Sequence, residues 1–128
     1  MTRGIIDTRV FIANEAGRPL RDADLPDELA VSVMTIGELR AGVLAASDAE
    51  TRDRRLATFT EVLWLEPVPV DAAVVASWAR LRVALRDRGR RMPVNDSWIA
   101  ATAMALHIPV VTEDAGYEPL PGLDAIRV

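Results

Sequence analysis

Short apolar runs alternate with helix-patterned segments along this chain, and that alternation limits the fold more than any other feature. "GIIDT" at 4–8, "LAVSV" at 29–33, "LEPVPV" at 65–70, Pro109 to Val111 and "DAIRV" at 124–128 read as strands. "VFIANE" reads as a short helix, "TIGELRAGVLAA" and residues 48–64 as two more, and Asp71 opens a long one that Gly89 stops. Residues 95–107 form a helix apolar almost all round, hence buried. Strands alternating with helices mean βαβ units, a mainly parallel sheet and right-handed crossovers. In such units strand C-ends and helix N-ends share one sheet edge, and ligands bind in the crevice there.

Four acids are expected at that edge. Asp7 ends the first strand, Glu38 is placed in the first turn of its helix, Asp96 begins the apolar helix, and Asp114 follows the strand ending at Val111. Each also has a plain structural role open to it. Asp7, Asp96 and Asp114 suit N-caps, and Thr35 with Glu38 has capping-box spacing, contacts worth about 1 kcal/mol each. Asp71 reads as a cap alone.

Composition removes several chemistries. Lysine and cysteine are absent, and His107, at a helix end, is the single histidine. A phosphate-binding loop with its lysine, a Schiff base, thiolate catalysis and zinc held by cysteine are therefore excluded. Cleavage of RNA through paired imidazoles is excluded too. The net charge of −4 argues against a general nucleic-acid coat. With 128 residues, half of them hydrophobic, the chain is expected to form one domain over residues 1–128. It has no apolar run long enough for a membrane span and no signal-like start, so a cytoplasmic location is expected.

Four blocks in order, "IIDTRVFI", "TIGELRAG", "VNDSWIAATA" and "VVTEDAGYEPLPG", resemble the signature segments of PIN-domain ribonucleases. Order, spacing and length most resemble the VapC-like toxins of type II toxin–antitoxin pairs. The resemblance implies a three-layer α/β/α sandwich and metal-dependent cleavage of RNA. Carried over by position, its catalytic and metal-ligating acids fall on Asp7, Glu38, Asp96 and Asp114, with Thr112 of the T-x-D segment modulating them. It implies Mg²⁺, with Mn²⁺ able to substitute, a cognate antitoxin, a homodimer and toxin–antitoxin hetero-oligomers. Two positions depart from the pattern. Arg9 stands where a small polar residue is usual, and Gly116 where a further acid often precedes Tyr117. Glu113 is expected to point away from the cluster.

The residue types support this chemistry independently. Clustered carboxylates suit a hard divalent ion, and without one they repel each other. Arg9 either points inward, opposing a metal by pairing with the acids, or outward toward an RNA phosphate; the inward direction is favoured by its nearness to Asp7. Six arginines lie between Arg80 and Arg91. Arg86, Arg90 and Arg91 are the candidate phosphate contacts, against the alternative of a solvated helix face. Trp64, Trp78 and Trp98 read as core. Apolar faces around Val10 to Ile12 and Leu39 to Leu44 are a candidate antitoxin groove. Two other classes remain: a decayed toxin-like module that only binds its antitoxin, which Arg9 favours, and a phosphoryl-transfer or receiver domain, which the missing lysine disfavours.

Overall fold

A computed structural model describes residues 1–114 and 120–128, with Asp22 described by its backbone alone. Four strands, β1 (Arg3–Ile6), β2 (Glu28–Ala30), β3 (Val110–Thr112) and β4 (Ala125–Arg127), form one parallel sheet in the order β2-β1-β3-β4. Among the described residues, five α-helices accompany it: α1 (Thr8–Glu15), α2 (Val33–Ala45), α3 (Ala49–Leu63), α4 (Ala72–Asp87) and α5 (Val94–Leu106).

Both faces of the sheet are covered, as a parallel sheet with helical crossovers demands. Successive side chains on β1 and β3 point to opposite faces. Ile5 and Val110 pack with Leu81 and Leu85 of α4 and with Ile99, Ala100 and Ala103 of α5. Ile6 and Val111 pack on the other face with Val10 and Phe11 of α1. Phe11 also joins Val31, Leu39 and Val62, tying α2 and α3 to that layer. The three-layer α/β/α arrangement follows. Alanines and one threonine on α5 are fully buried, which lets that helix lie close against the sheet.

Two expected strands shrink. β2 ends at Ala30 because Ser32 caps α2, its hydroxyl accepting the Met34 N–H at 3.0 Å. The 65–70 segment contributes only a single bridge, Val68 to Ser32. The expected capping box also fails. Thr35 lies inside α2 and its buried hydroxyl is used elsewhere, while Glu38 sits one turn further along than expected. Gly89, at φ +61°, ends α4 as its spacing predicts, with the Arg90 N–H donating back to the Leu85 carbonyl.

Gly4 marks the tightest backbone approach. A Cβ there would stand 2.8 Å from Val111 Cγ2 and 3.0 Å from Pro26 Cγ, neither of which is a flexible chain end. Gly4→Ala is therefore expected to destabilise the fold by about 1–3 kcal/mol through overpacking. A chemical-denaturation midpoint unchanged from wild type would refute this packing argument.

Candidate active site

Four acids stand at helix starts, and the structure divides them into two kinds. Asp48 and Asp71 are caps. Their carboxylates accept the N–H of Thr51 at 2.7 Å and of Val74 at 3.0 Å. The bonds to Thr51 hold the Asp48 carboxyl below its usual pKa. Asp7 and Asp96 are not caps. Asp7 occupies the N-cap position of α1 yet makes no side-chain cap bond, and the N-cap position of α5 is Pro93, with Asp96 in the first turn. Asp71→Asn should accordingly leave stability within a few tenths of a kcal/mol, since asparagine caps as well as aspartate, and leave any activity intact. Loss of activity in that variant would show that the wrong set of acids has been singled out.

Asp7 is carried to the sheet edge by β1, and its N–H still donates to the Val111 carbonyl at 2.9 Å. The residue is only 3% exposed. A buried carboxylate needs partners, and Asp7 Oδ2 accepts the Thr112 hydroxyl at 2.9 Å and Arg9 Nη1 at 3.4 Å. The other terminal nitrogen of Arg9 donates to Asp96 Oδ2 at 3.0 Å. One guanidinium thus bridges two carboxylates from different elements. The inward direction expected of Arg9 is the one observed.

Electrostatics reflect this arrangement. Burial pushes the Asp96 carboxyl above its usual pKa; Arg9 opposes that shift, while Asp7 and Asp114 reinforce it. Burial would lower Arg9, but Asp96, Asp7 and Asp114 together hold its pKa above the ordinary value. Both α1 and α5 also present their N-terminal turns here, and helix N-termini favour negative charge.

Asp114 is exposed, and its N–H donates to the Thr112 hydroxyl at 3.1 Å, so Thr112 links the Asp7 and Asp114 positions. Glu38 comes in from α2 through threonines. The Thr8 hydroxyl donates to Glu38 Oε1 at 2.8 Å and lies 2.9 Å from the Thr35 hydroxyl. Thr8 has one proton, given to Glu38, so Thr35 is the donor to Thr8. Sequence reasoning missed Thr8 and Thr35 as positioning groups. The signals were present: Thr8 directly follows Asp7, and Thr35 lies three residues before Glu38, on the same helix face. Glu113 turns away to Arg18 at 2.7 Å, as expected. The Gly116 and Tyr117 positions lie outside the described residues.

The four acids surround one edge but are not drawn into a single shell. Among the described residues, no three acids stand close enough to hold a metal ion. The crevice lined by Asp7, Asp96, Ile99 and Val110 admits no water-sized sphere. Oxygen donors of this kind nevertheless suit a hard divalent ion, and the cation paired with Asp7 and Asp96 is Arg9.

A cavity of about 370 Å³ opens beside α5, lined by Arg82, Arg86, Arg90, Arg91, Val94 and Ser97 among others. The three candidate arginines thus line one cavity together with Ser97, the residue that follows Asp96 on α5. Trp78 and Trp98 stack at 4.4 Å with planes 3° apart, Trp78 donates to Ser97 Oγ at 3.0 Å, and Arg82 lies over the Trp78 ring. These two tryptophans are half-buried. Trp64 is 82% exposed and does not belong to the core, contrary to expectation; α3 ends beneath it, and no packed layer covers its ring. Of the expected apolar groove, Val10, Leu39 and Val43 are core, and Ile12 and Leu44 face outward.

A model of the PIN domain matches residues 5–122. The chain belongs to the PIN-domain family. This PIN domain is 46% identical over 125 residues to Ribonuclease VapC5 of Mycobacterium tuberculosis, across 98% of this chain and 93% of that protein. It is 45% identical over 126 residues to Ribonuclease VapC4 of the same organism, across 98% and 97%. Among solved structures, VapBC-5 of M. tuberculosis, a member of the VapBC family of toxin–antitoxin systems, superposes with a TM-score of 0.91 at 43% identity over the full length of both chains. VapBC2 of Rickettsia felis, bound to a promoter DNA fragment, shares the fold at TM-score 0.83 and 20% identity, over 98% of each chain. Among the described residues of this PIN domain, no helix is long and apolar enough to cross a membrane.

Proposed function

We propose that the protein is an endoribonuclease that acts as the toxin of a type II toxin–antitoxin pair and requires Mg²⁺ or Mn²⁺. The observation that carries this reading is that Asp7 and Asp96 decline to cap the helices they begin, and instead converge on one cation at the sheet edge. A fold that needed them only for stability would use them as it uses Asp48 and Asp71. The likeness to proteins named as VapC ribonucleases supports the substrate class.

Asp7, Asp96, Asp114 and Glu38 would hold the ion. When bound, a divalent cation activates water toward the phosphodiester and neutralises charge on the leaving 3′ oxygen. The chain's own groups do the rest. Thr112 orients Asp7, and the Thr35–Thr8 pair orients Glu38, fixing carboxylates that charge repulsion alone would spread apart. Arg86, Arg90 and Arg91 present planar guanidinium groups to successive phosphates of single-stranded RNA beside Asp96. With RNA as substrate, the protein acts in the cytoplasm. The likeness to VapBC-5, a member of the VapBC family of toxin–antitoxin systems, supports an antitoxin partner and a toxin–antitoxin hetero-oligomer; a homodimer is proposed beside them on the family resemblance alone.

One observation favours a second reading. Arg9 already neutralises the carboxylates, which suits a module that has lost its ion and only binds antitoxin. Induced expression in a bacterial host separates the two. The ribonuclease reading expects growth arrest, relieved by co-expressed antitoxin and absent for Asp7→Asn. A chain that forms the antitoxin complex without arresting growth would establish the binding module instead.

A further inference from the structure

We propose that Arg9 is a built-in counter-ion, a guanidinium that occupies the place of the divalent cation and must be expelled before the ion binds. The proposal rests on the metal-dependent reading above. Its basis is geometric. The two terminal nitrogens of Arg9 reach Asp96 at 3.0 Å and Asp7 at 3.4 Å, so a single planar group spans the pair.

The backbone at that spot works against the guanidinium. Arg9 lies in the first turn of α1, and α5 directs its own first turn to the same place, so two helix dipoles oppose positive charge there. Arg9 is held by the carboxylates. Once a dication neutralises them, attraction turns into repulsion and both dipoles push the guanidinium out. The way out is open: the Arg9 side chain is 42% exposed, so it swings into solvent without disturbing the core.

The two occupants therefore compete. Without metal, Arg9 prevents Asp7 and Asp96 from repelling each other and so stabilises the empty protein. With metal, the same residue weakens binding by the work of its own displacement. Metal affinity is set by a residue of α1 as well as by the acids, and the chain gains less stability from its ion than a chain with serine at this position.

Titration of Mn²⁺ into wild type and Arg9→Ser, followed by calorimetry, tests this. Arg9→Ser should bind Mn²⁺ on the order of tenfold more tightly, a difference of about 1.4 kcal/mol. In EDTA it should melt below wild type, and saturating Mn²⁺ should raise its melting temperature more than that of wild type. Arg9→Gln keeps most of the side-chain stem and removes the charge; it should show the same tighter binding and carries the test if the serine variant does not fold. Equal Mn²⁺ affinities in wild type and variant would overturn the counter-ion alone. No Mn²⁺ binding in any of the proteins would overturn it together with the metal-dependent reading.

Discussion

Asp96→Asn is expected to fold normally and to lose RNA cleavage by roughly a thousandfold or more, the scale of several kcal/mol of metal-centred stabilisation. The fold has little reason to object. Asp96 caps nothing, because Pro93 holds that position, and asparagine keeps an oxygen that can accept from Arg9 Nη2. The loss of a negative charge in the first turn of α5 costs at most about 1 kcal/mol. Burial already disfavours the charged carboxyl, which offsets part of that loss. The chemistry has every reason to object, since the variant keeps shape and removes charge. Thermal melts and a single-turnover cleavage assay on the same preparation check both halves. A fully active Asp96→Asn protein would return Asp96 to a structural role.

Glu38→Gln should likewise leave stability unchanged while cleavage falls on the order of 100-fold, the scale of a weakened ligand or outer partner. The Thr8 hydroxyl donates to Glu38 Oε1, and a glutamine carbonyl accepts that bond equally well. Only charge is removed. Thr8→Val is the complementary change: it keeps Glu38 and deletes the bond that aims it, leaving Thr35 without its hydroxyl partner. Unaltered cleavage by Glu38→Gln in a rapid-quench time course would remove Glu38 from the site.

Much of this arrangement was legible in the residues themselves. Alternating strands and helices specify a parallel sheet, and that topology brings Asp7 and Asp96 to one edge without any knowledge of contacts. Periodicity located α3, α4 and α5 to within a residue or two, because each pairs a clear apolar pattern with a recognisable start or stop such as Asp48, Asp71 or Gly89. What failed was short-range chemistry with two competing solutions. Thr35 and Glu38 fit a capping box, yet Ser32, three residues earlier, takes the cap and releases Thr35 to meet Thr8. "LEPVPV" has strand composition, but its prolines leave few N–H groups for a ladder, and only Val68 pairs. Trp64 was expected in the core on its residue type, although it lies just past the end of α3, where no layer covers it.

The acids were harder. Position at a helix start, taken alone, favours a cap over a site, and Asp48 and Asp71 show that the bland role is common in this chain. Only atomic contacts separate the two kinds: a carboxylate bonded to its own helix, or one turned toward Arg9 and Thr112. Arg9 is a different lesson. Its departure from the family pattern was visible at once, and proximity to Asp7 favoured an inward guanidinium. That the same group also reaches Asp96 depends on tertiary packing between α1 and α5.

The central claim is that the acids at this edge are held for metal-dependent hydrolysis of RNA. Antitoxin-free protein incubated with total RNA in Mg²⁺, with the cut ends mapped, tests it most directly. The expected result is defined internal cleavage that EDTA abolishes and excess Mg²⁺ or Mn²⁺ restores. Cleavage that persists undiminished in EDTA, or none in either metal, would contradict the account.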